Sequence, residues 1–278
     1  MSYNIKKCLV VGLPNAGKST FIGAFWAIEK DGGTGHTLTF EKYPSDRTYL
    51  NALKDKWLEQ KTVDRTVQLS QDLVLDLMRS SDEKKLTVSI PDFKGEAFNQ
   101  LLVGNSPEKL DNWIKESDSI LLFVENCEEE IYSEEFGNDY EPEGETQLTE
   151  FNIGEVEPWI KVVQILKFIK KEKGNIPLSI CISAWDKTLN ELSDGDTIET
   201  WLKAEHLFFY RFTEEYFPGA KYFGISAQGL DYDNRGGLTE AKVSELTDLG
   251  KRAYISSGTD KDYDITKPLA WLLEDKRL

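Results

Sequence analysis

Short apolar runs recur along this chain and predict the strands of one sheet. A continuous run at residues 119–124, and runs near residues 5–11 (apolar apart from Lys6 and Lys7) and 176–182, are typical of buried strands. Two further apolar stretches, residues 72–78 and 86–90, flank the polar sequence RSSDEKK and predict a β-hairpin.

Apolar residues at helical spacing predict the elements between the strands. Residues 155–174 form an amphipathic pattern that ends at Gly174, and residues 264–274 carry Pro268 where a first helical turn tolerates it. Residues 44–60 predict an additional helix. The order of elements therefore predicts an α/β fold of three layers, a mostly parallel sheet with helices on both faces and with insertions.

The length of 278 residues fits a single domain, residues 1–278, with three insertions. They are expected near residues 29–62, 126–154 and 229–262. The first includes the glycine-rich sequence DGGTGHT, which we predict to be a mobile loop. The second is strongly acidic and has too few apolar residues to pack by itself, so a mobile surface segment is expected.

The sequence GLPNAGKS, residues 12–19, fits the phosphate-loop pattern G-x-x-x-x-G-K-[ST] between a predicted strand and a predicted helix. Amides at such a helix N-terminus bind phosphate oxygens. Lys18 is expected to reach the β- and γ-phosphates, and the Ser19 hydroxyl to bind Mg²⁺. An ordinary glycine turn is the alternative. The predicted nucleotide-binding residues of the loop are Gly12, Asn15, Ala16, Gly17, Lys18, Ser19 and Thr20.

A second motif follows the strand predicted at residues 86–90. Asp92-Phe93-Lys94-Gly95 fits D-x-x-G, with Asp92 placed to hold Mg²⁺ through a water and the Gly95 amide placed to contact a γ-phosphate. A simple β-turn is the alternative interpretation.

With these motifs the chain resembles the translation-factor-related (TRAFAC), Ras-like class of P-loop GTPases over most of its length. It is also similar to the bacterial double-GTPase families, whose members carry P-D-x-x-G-E and S-A-W-D stretches like residues 91–96 and 183–186 here. The resemblance implies a Ras-like fold, Mg²⁺ as cofactor, and GTP and GDP as ligands. It also implies a protein partner, either an effector or a second GTPase of a multi-component system.

The resemblance implies a switch threonine shortly before the predicted hairpin. Thr66 is the first candidate, as a catalytic residue and metal ligand, and Thr62 is the second. Thr34, Thr37 and Thr39 lie too far upstream. Each of these threonines is otherwise a solvated loop residue.

Two further residues are candidates for a part in hydrolysis. Arg65 is placed beside Thr66 to act as an arginine finger in cis, and Arg47 is a poorer candidate. Glu96 stands where Ras-like enzymes carry a glutamine; a carboxylate can orient water but adds negative charge near the γ-phosphate, so a structural glutamate is the alternative. If neither arginine serves, a partner must supply positive charge and turnover is slow.

The S-A-W-D stretch occupies the place of the N/T-K-x-D motif. The Asp186 carboxylate is expected to accept paired hydrogen bonds from guanine N1–H and N2–H₂, a donor pair that adenine lacks. Ala184 stands where the motif has a lysine whose stem packs on the base. Lys187 or Trp185 is the candidate to make this packing contact instead.

A third base-binding segment follows the strand expected at residues 222–225. Ser226, Ala227 and Gln228 resemble the S-A-K loop, whose backbone amide reads guanine O6.

Composition narrows the possible partners. The chain has thirty-three basic and forty-nine acidic residues and a net charge of −16. This charge disfavours sequence-independent binding to nucleic acid and binding to anionic lipid. Three unevenly spaced cysteines predict neither a metal site nor disulfides and fit a reducing cytosol. No signal peptide or membrane-inserted run is expected, so a cytoplasmic location is predicted.

The favoured hypothesis is a Mg²⁺-dependent GTPase that hydrolyses GTP to GDP and phosphate as a switch for a partner protein. The degraded base motif and Glu96 leave a nucleotide-binding scaffold with little hydrolysis as one alternative. A P-loop ATPase or kinase is the other.

Overall fold

In a computed structural model, the described residues (5–32, 35–60, 72–91, 108–126, 156–189, 192–229 and 247–274) form one mixed sheet with helices on both faces. The strands within these ranges are β1 (Lys6–Gly12), β2 (Leu38–Lys42), β3 (Leu73–Arg79), β4 (Lys85–Ile90), β5 (Ser119–Glu125), β6 (Leu178–Ser183), β7 (Lys221–Ser226), β8 (Tyr254–Ser256) and β9 (Lys261–Asp262).

The described helices alternate with these strands. They are α1 (Lys18–Ala27), α2 (Thr48–Leu58), α3 (Glu108–Glu116), α4 (Pro158–Lys173), α5 (Trp185–Leu189), α6 (Ile198–Glu205), α7 (Leu207–Tyr216), α8 (Leu249–Arg252) and α9 (Lys267–Leu272). A π-helical turn, Ile28–Gly32, follows α1. The predicted helix that ends at Gly174 is α4, and Pro268 lies in the first turn of α9 as expected.

The strands are ordered β2-β3-β4-β1-β5-β6-β7-β8-β9. The five central strands, β4 to β7 in this order, are parallel, whereas β2 and β3 on one side and β8 and β9 on the other pair antiparallel. The predicted hairpin is the β3–β4 pair. The mostly parallel α/β sheet predicted from the sequence is therefore confirmed.

Each face of the sheet has its own hydrophobic core, because successive residues of a strand point to opposite faces. In β1, Cys8 and Val10 pack with α1, α2 and α9, while Leu9 and Val11 pack with α3, α4, α6 and α7. Cys8 is fully buried, and its burial raises the thiol pKa to about 12. It behaves as a small apolar residue of the core.

The topology positions three loops at one edge of the sheet. The carboxyl ends of β1, β6 and β7 all lie at this end of the sheet, with β5 between β1 and β6, since the central strands are parallel. The strand order also reverses between β1 and its neighbour β5, and in open α/β sheets ligands bind in the crevice formed at such a point.

A strand that the sequence does not predict follows DGGTGHT directly. Residues 38–42 are the edge strand β2, paired antiparallel with β3. Asp264, just before α9, fixes the start of this strand, because its carboxylate accepts hydrogen bonds from the Thr37 backbone N–H at 2.9 Å and from the Thr37 hydroxyl. The Thr266 hydroxyl then accepts a 3.1 Å bond from the Leu38 backbone N–H.

Part of the predicted insertion at residues 229–262 has regular secondary structure. Its described residues, 247–262, contain α8 and the strands β8 and β9, which continue the sheet beyond β7. Most of the acidic segment at 126–154 lies outside the described residues, as does Cys127. Across the part of the chain that the structure describes, no helix is both long enough and apolar enough to cross a bilayer.

Candidate nucleotide-binding site

The loop between β1 and α1 has a backbone that requires glycine at two positions. A Cβ at Gly12 would lie 2.7 Å from the carbonyl oxygen of Phe123 in β5, and Gly17 has a φ of +85°. Asn15 also has a positive φ, +68°. Ala16 is buried, and its N–H donates to the Leu13 carbonyl at 3.3 Å. The predicted phosphate-binding loop is thus a tight turn that leads directly into the N-terminus of α1.

Lys18 lies inside this turn. Its Nζ donates to the carbonyl oxygens of Gly12 and Leu13, both at 2.7 Å. Burial lowers the pKa of its ammonium to about 8. Ser19 and Thr20 follow as half-buried residues in the first turn of α1. The Ser19 hydroxyl is a hard oxygen donor of the kind that Mg²⁺ prefers.

The two predicted base-binding segments meet through Asp186 and Ser226. The Ser226 hydroxyl donates a 2.6 Å hydrogen bond to Asp186 Oδ1. The same hydroxyl oxygen accepts a 3.1 Å bond from the Gly229 backbone N–H. Ser226 is buried and Asp186 is half-buried, so the serine orients a carboxylate that remains partly accessible. Ala227 and Gln228 follow as half-buried residues.

Ser183 connects the base segment to the phosphate loop. It takes the place of the asparagine of N/T-K-x-D, and its hydroxyl donates to the Val124 carbonyl at 3.3 Å. A Cβ at Gly17 would lie 3.0 Å from the Ser183 Cβ. The turn then passes through Ala184, which has a φ of +55°.

Trp185 does not cover a base, contrary to one of the two expectations for this loop. It is fully buried under the sheet, and a Cβ at Gly224 of β7 would lie 2.3 Å from its indole ring. Its ring also makes an edge contact with Trp201, with centroids 5.2 Å apart. Lys187 is exposed and is the remaining candidate for packing on the base.

One contact of the base loop is not predicted by the sequence. Trp57 of α2 donates from Nε1 to the Ala227 carbonyl oxygen at 2.6 Å. Apolar spacing places Trp57 on the buried side of its helix. No local signal connects it with a loop 170 positions further along the chain.

The remaining predicted residues lie outside the described residues. They are Thr62, Arg65, Thr66, Asp92, Gly95 and Glu96. The described ranges bring together the phosphate loop, Asp186 and Ser226 at the carboxyl ends of β1, β6 and β7. They contain no cluster of three or more His, Cys, Asp or Glu side chains suited to a metal ion.

Comparison with known proteins gives one family match. A family model described as Double-GTPase 1 matches residues 9–272. No curated protein matches the chain. Among solved structures, the S. cerevisiae Ski7 GTPase-like domain, described as bound to GTP, is similar with 14% sequence identity and a TM-score of 0.43. That match covers 84% of this chain and 46% of the other, so the chain spans less than half the length of that structure.

The family match extends over nearly the whole chain and agrees with the double-GTPase resemblance of residues 91–96 and 183–186. This protein therefore belongs to the Double-GTPase 1 family, a family of GTP-binding proteins.

Proposed function

We propose that this protein is a Mg²⁺-dependent GTPase that hydrolyses GTP to GDP and phosphate and acts as a switch for a partner protein. The observation that carries the proposal is the 2.6 Å hydrogen bond between Ser226 and Asp186, at the same sheet edge as the phosphate loop. It joins two segments that are 40 residues apart in sequence and that the GTPase resemblance assigns to a single base.

The phosphate loop would hold the phosphates with its backbone and with Lys18. In the fold, the Lys18 ammonium lies against the loop carbonyls of Gly12 and Leu13. Phosphate oxygens offer this half-buried cation a stronger, charge-assisted set of acceptors than neutral carbonyls do. The positive end of α1 favours the same anion.

The base would be selected by Asp186. A carboxylate held by Ser226 accepts the N1–H and N2–H₂ donors of guanine, and facing adenine it would be left without these donors. The amide of Ala227 would donate to guanine O6, and Lys187 would pack its stem on the base. Discrimination between guanine and adenine would then depend on two segments that the bond between Ser226 and Asp186 holds together.

Mg²⁺ would be held by the Ser19 hydroxyl together with Thr66 and Asp92, and when bound it neutralises charge on the β- and γ-phosphates. Arg65 would add positive charge, the Gly95 amide would contact the γ-phosphate, and Glu96 would orient the attacking water. A glutamate at that position implies slow turnover in the absence of a partner, either an effector or a second GTPase.

Calorimetric titration tests the base assignment. GDP, XDP and ADP are titrated with Mg²⁺ into the wild type and the Asp186→Asn variant. Xanthine carries a carbonyl where guanine has its N2 amine, so an amide at position 186 suits xanthine better than a carboxylate does. We expect the wild type to prefer GDP and Asp186→Asn to prefer XDP, with each ratio changing by about tenfold or more.

A matched control separates base recognition from a simple loss of charge. Asp194→Asn removes the same charge from an exposed loop position and should bind the three nucleotides as the wild type does. Equal or tighter binding of ADP by the wild type would move the protein to the ATPase or kinase class. Guanine preference without release of phosphate from GTP in single-turnover assays would instead favour a scaffold.

A further inference from the structure

The inserted helix α2 has a fixed position beside the nucleotide site. It packs on α1, the helix that follows the phosphate loop, where a Cβ at Gly23 would lie only 2.9 Å from the Leu53 carbonyl oxygen. The indole Nε1 of Trp26 in α1 donates to Asn51 Oδ1 in α2 at 3.0 Å. This close backbone approach and the hydrogen bond seat α2 firmly on α1.

Trp57, in the last turn of α2, reaches from there to the base loop. Its Nε1 donates to the Ala227 carbonyl oxygen at 2.6 Å, and its side chain is almost completely buried. The Arg252 guanidinium, at the end of α8, lies 3.9 Å from the centroid of the indole ring. Arg252 Nη2 also donates to the Trp57 carbonyl oxygen. Packing and the cation–π contact with Arg252 thus hold the Trp57 side chain in one position.

These contacts fix Ala227 from both sides. On its N-terminal side, Ser226 is anchored through bonds to Asp186 and to the Gly229 backbone. On its C-terminal side, Trp57 holds the carbonyl group. Ser226 is also the last residue of β7 and is paired with Tyr254 of β8. Because each peptide unit is planar, a strand residue on one side and a held carbonyl on the other leave the Ala227 backbone little freedom to rotate.

We infer that Trp57 is a positioning residue for guanine recognition, an inference that rests on the function proposed above. The indole does not touch the base. It holds the Ala227 carbonyl and so limits rotation of the Ala227 backbone, which keeps the N–H of this residue directed at guanine O6. Since ADP offers no O6 acceptor, the effect of Trp57 is confined to nucleotides that carry a carbonyl at this position.

Two matched variants test the inference. Trp57→Phe keeps an aromatic ring beside Arg252 but removes the indole donor. Trp26→Phe removes the other indole hydrogen bond at α2, the one to Asn51, and leaves the base loop untouched. With a fluorescent GDP analogue as competitor, we expect Trp57→Phe to weaken GDP binding about fivefold, the size of one neutral hydrogen bond, with ADP binding changed less than about twofold. Trp26→Phe should leave the GDP-to-ADP ratio unchanged.

The outcomes separate this inference from the proposed function. If the wild type shows no preference for GDP over ADP, the proposed function itself fails. If the wild type prefers GDP and Trp57→Phe retains the full preference, the function stands and Trp57 has no positioning role.

A second measurement, by NMR, uses the wild-type protein, so its result does not depend on whether a variant folds. The chain has seven tryptophans, so the indole N–H signals of ¹⁵N-labelled wild-type protein can be resolved individually. GDP should shift the Trp57 signal and slow its hydrogen exchange, because base binding tightens the loop that accepts this bond. ADP should not do so, and Trp26 should respond to neither. A Trp57 signal that GDP leaves unchanged would overturn the inference.

Discussion

Gly17 of the phosphate loop lies against Ser183, the first residue of the S-A-W-D stretch. A Cβ built on Gly17 would lie 3.0 Å from the Ser183 Cβ and 3.3 Å from its Oγ, and the Gly17 backbone has a φ of +85°. A contact this close sets the separation between the predicted phosphate-binding and base-binding loops. Glycine is needed here for both its conformation and its lack of a side chain.

The contact predicts a specific effect of Gly17→Ala. Gly195 is a matched control, because it has a similar φ of +92° and no atom within 4 Å of an added Cβ. Gly195→Ala should lower the free energy of unfolding by about 1–2 kcal/mol through backbone strain alone. Gly17→Ala should lower it further and weaken GDP binding by about tenfold or more, the loss expected for one charge-assisted hydrogen bond. Urea denaturation and GDP titration give the two values. Equal losses of stability in both variants, with GDP affinity unchanged, would show that the contact is not critical.

Lys18→Met should separate nucleotide binding from stability. The Lys18 ammonium is half-buried between neutral carbonyls, and burial lowers its pKa to about 8, so in the free protein its charge stabilises little. We expect GDP affinity to fall by at least about a hundredfold, because the charged donor to the phosphates is lost. The free energy of unfolding without nucleotide should change by less than about 1 kcal/mol.

Lys171→Met is the control for the lost charge, since Lys171 is exposed on α4. It should bind GDP with wild-type affinity in the same titration. Retained GDP affinity in a folded Lys18→Met protein would show that residues 12–19 are not a phosphate-binding loop.

The elements that the sequence predicts well are those with a complete local signal. The strand, the phosphate-loop motif and the helix around Lys18 follow each other within about twenty residues, and β5 and β6 are nearly uninterrupted apolar runs. The order of motifs also predicts Asp186 and Ser226 to be parts of one site. Their hydrogen bond is the structural counterpart of that prediction.

The features that the sequence could not predict depend on residues far apart along the chain. β2 is a five-residue edge strand whose start is held by Asp264, 227 positions after Thr37. A short segment of this kind has no periodicity long enough to distinguish it from a loop. The bond from Trp57 to Ala227 likewise spans 170 positions.

The orientation of Trp185 depends on a residue of another strand. It stands beside the predicted base-binding aspartate, and its sequence position alone is compatible with a ring that covers the base. Its direction is set by Gly224 on the neighbouring strand β7, where the missing side chain leaves room for the indole. The residues near Trp185 in sequence do not predict the space that Gly224 leaves for its ring, because Gly224 lies on another strand.

Ser226→Ala should weaken guanine recognition selectively. The variant removes the 2.6 Å bond to Asp186 and the acceptor for the Gly229 N–H. The loss of one hydrogen bond to a charged group predicts GDP binding weakened by about tenfold, with ADP binding little changed. The GDP-to-ADP ratio is measured by competition against a fluorescent GDP analogue.

Ser256→Ala is the matched control for this change. Ser256 is an equally buried serine in β8, and its hydroxyl oxygen accepts a 3.1 Å bond from the Gly258 N–H. Its substitution should destabilise the fold by about 1 kcal/mol without altering the nucleotide ratio. A parallel drop in GDP and ADP affinity for Ser226→Ala would mean that the serine supports the fold rather than the base site.

Protonation of His206 should contribute to unfolding in mild acid. The imidazole stacks on Trp159 with ring centroids 3.7 Å apart, and burial lowers its pKa from 6.5 to about 4. Between these two pH values the unfolded chain therefore binds more protons at this residue than the folded protein does. The contribution of neutral His206 to stability is full above about pH 6.5 and is lost as the pH falls toward 4.

His206→Phe isolates this contribution, because a phenyl ring retains the stack on Trp159 and does not titrate. Allowing for partial exposure of His206, we expect the free energy of unfolding of the wild type to fall between pH 7.5 and pH 5 by about 1–2 kcal/mol more than that of the variant. Urea denaturation at the two pH values measures the difference. The other titratable groups, including His36, are the same in both proteins, so their contributions to the pH dependence cancel. Identical decreases in the two proteins would show that His206 carries a proton in the folded state at pH 5, and that burial does not keep it neutral.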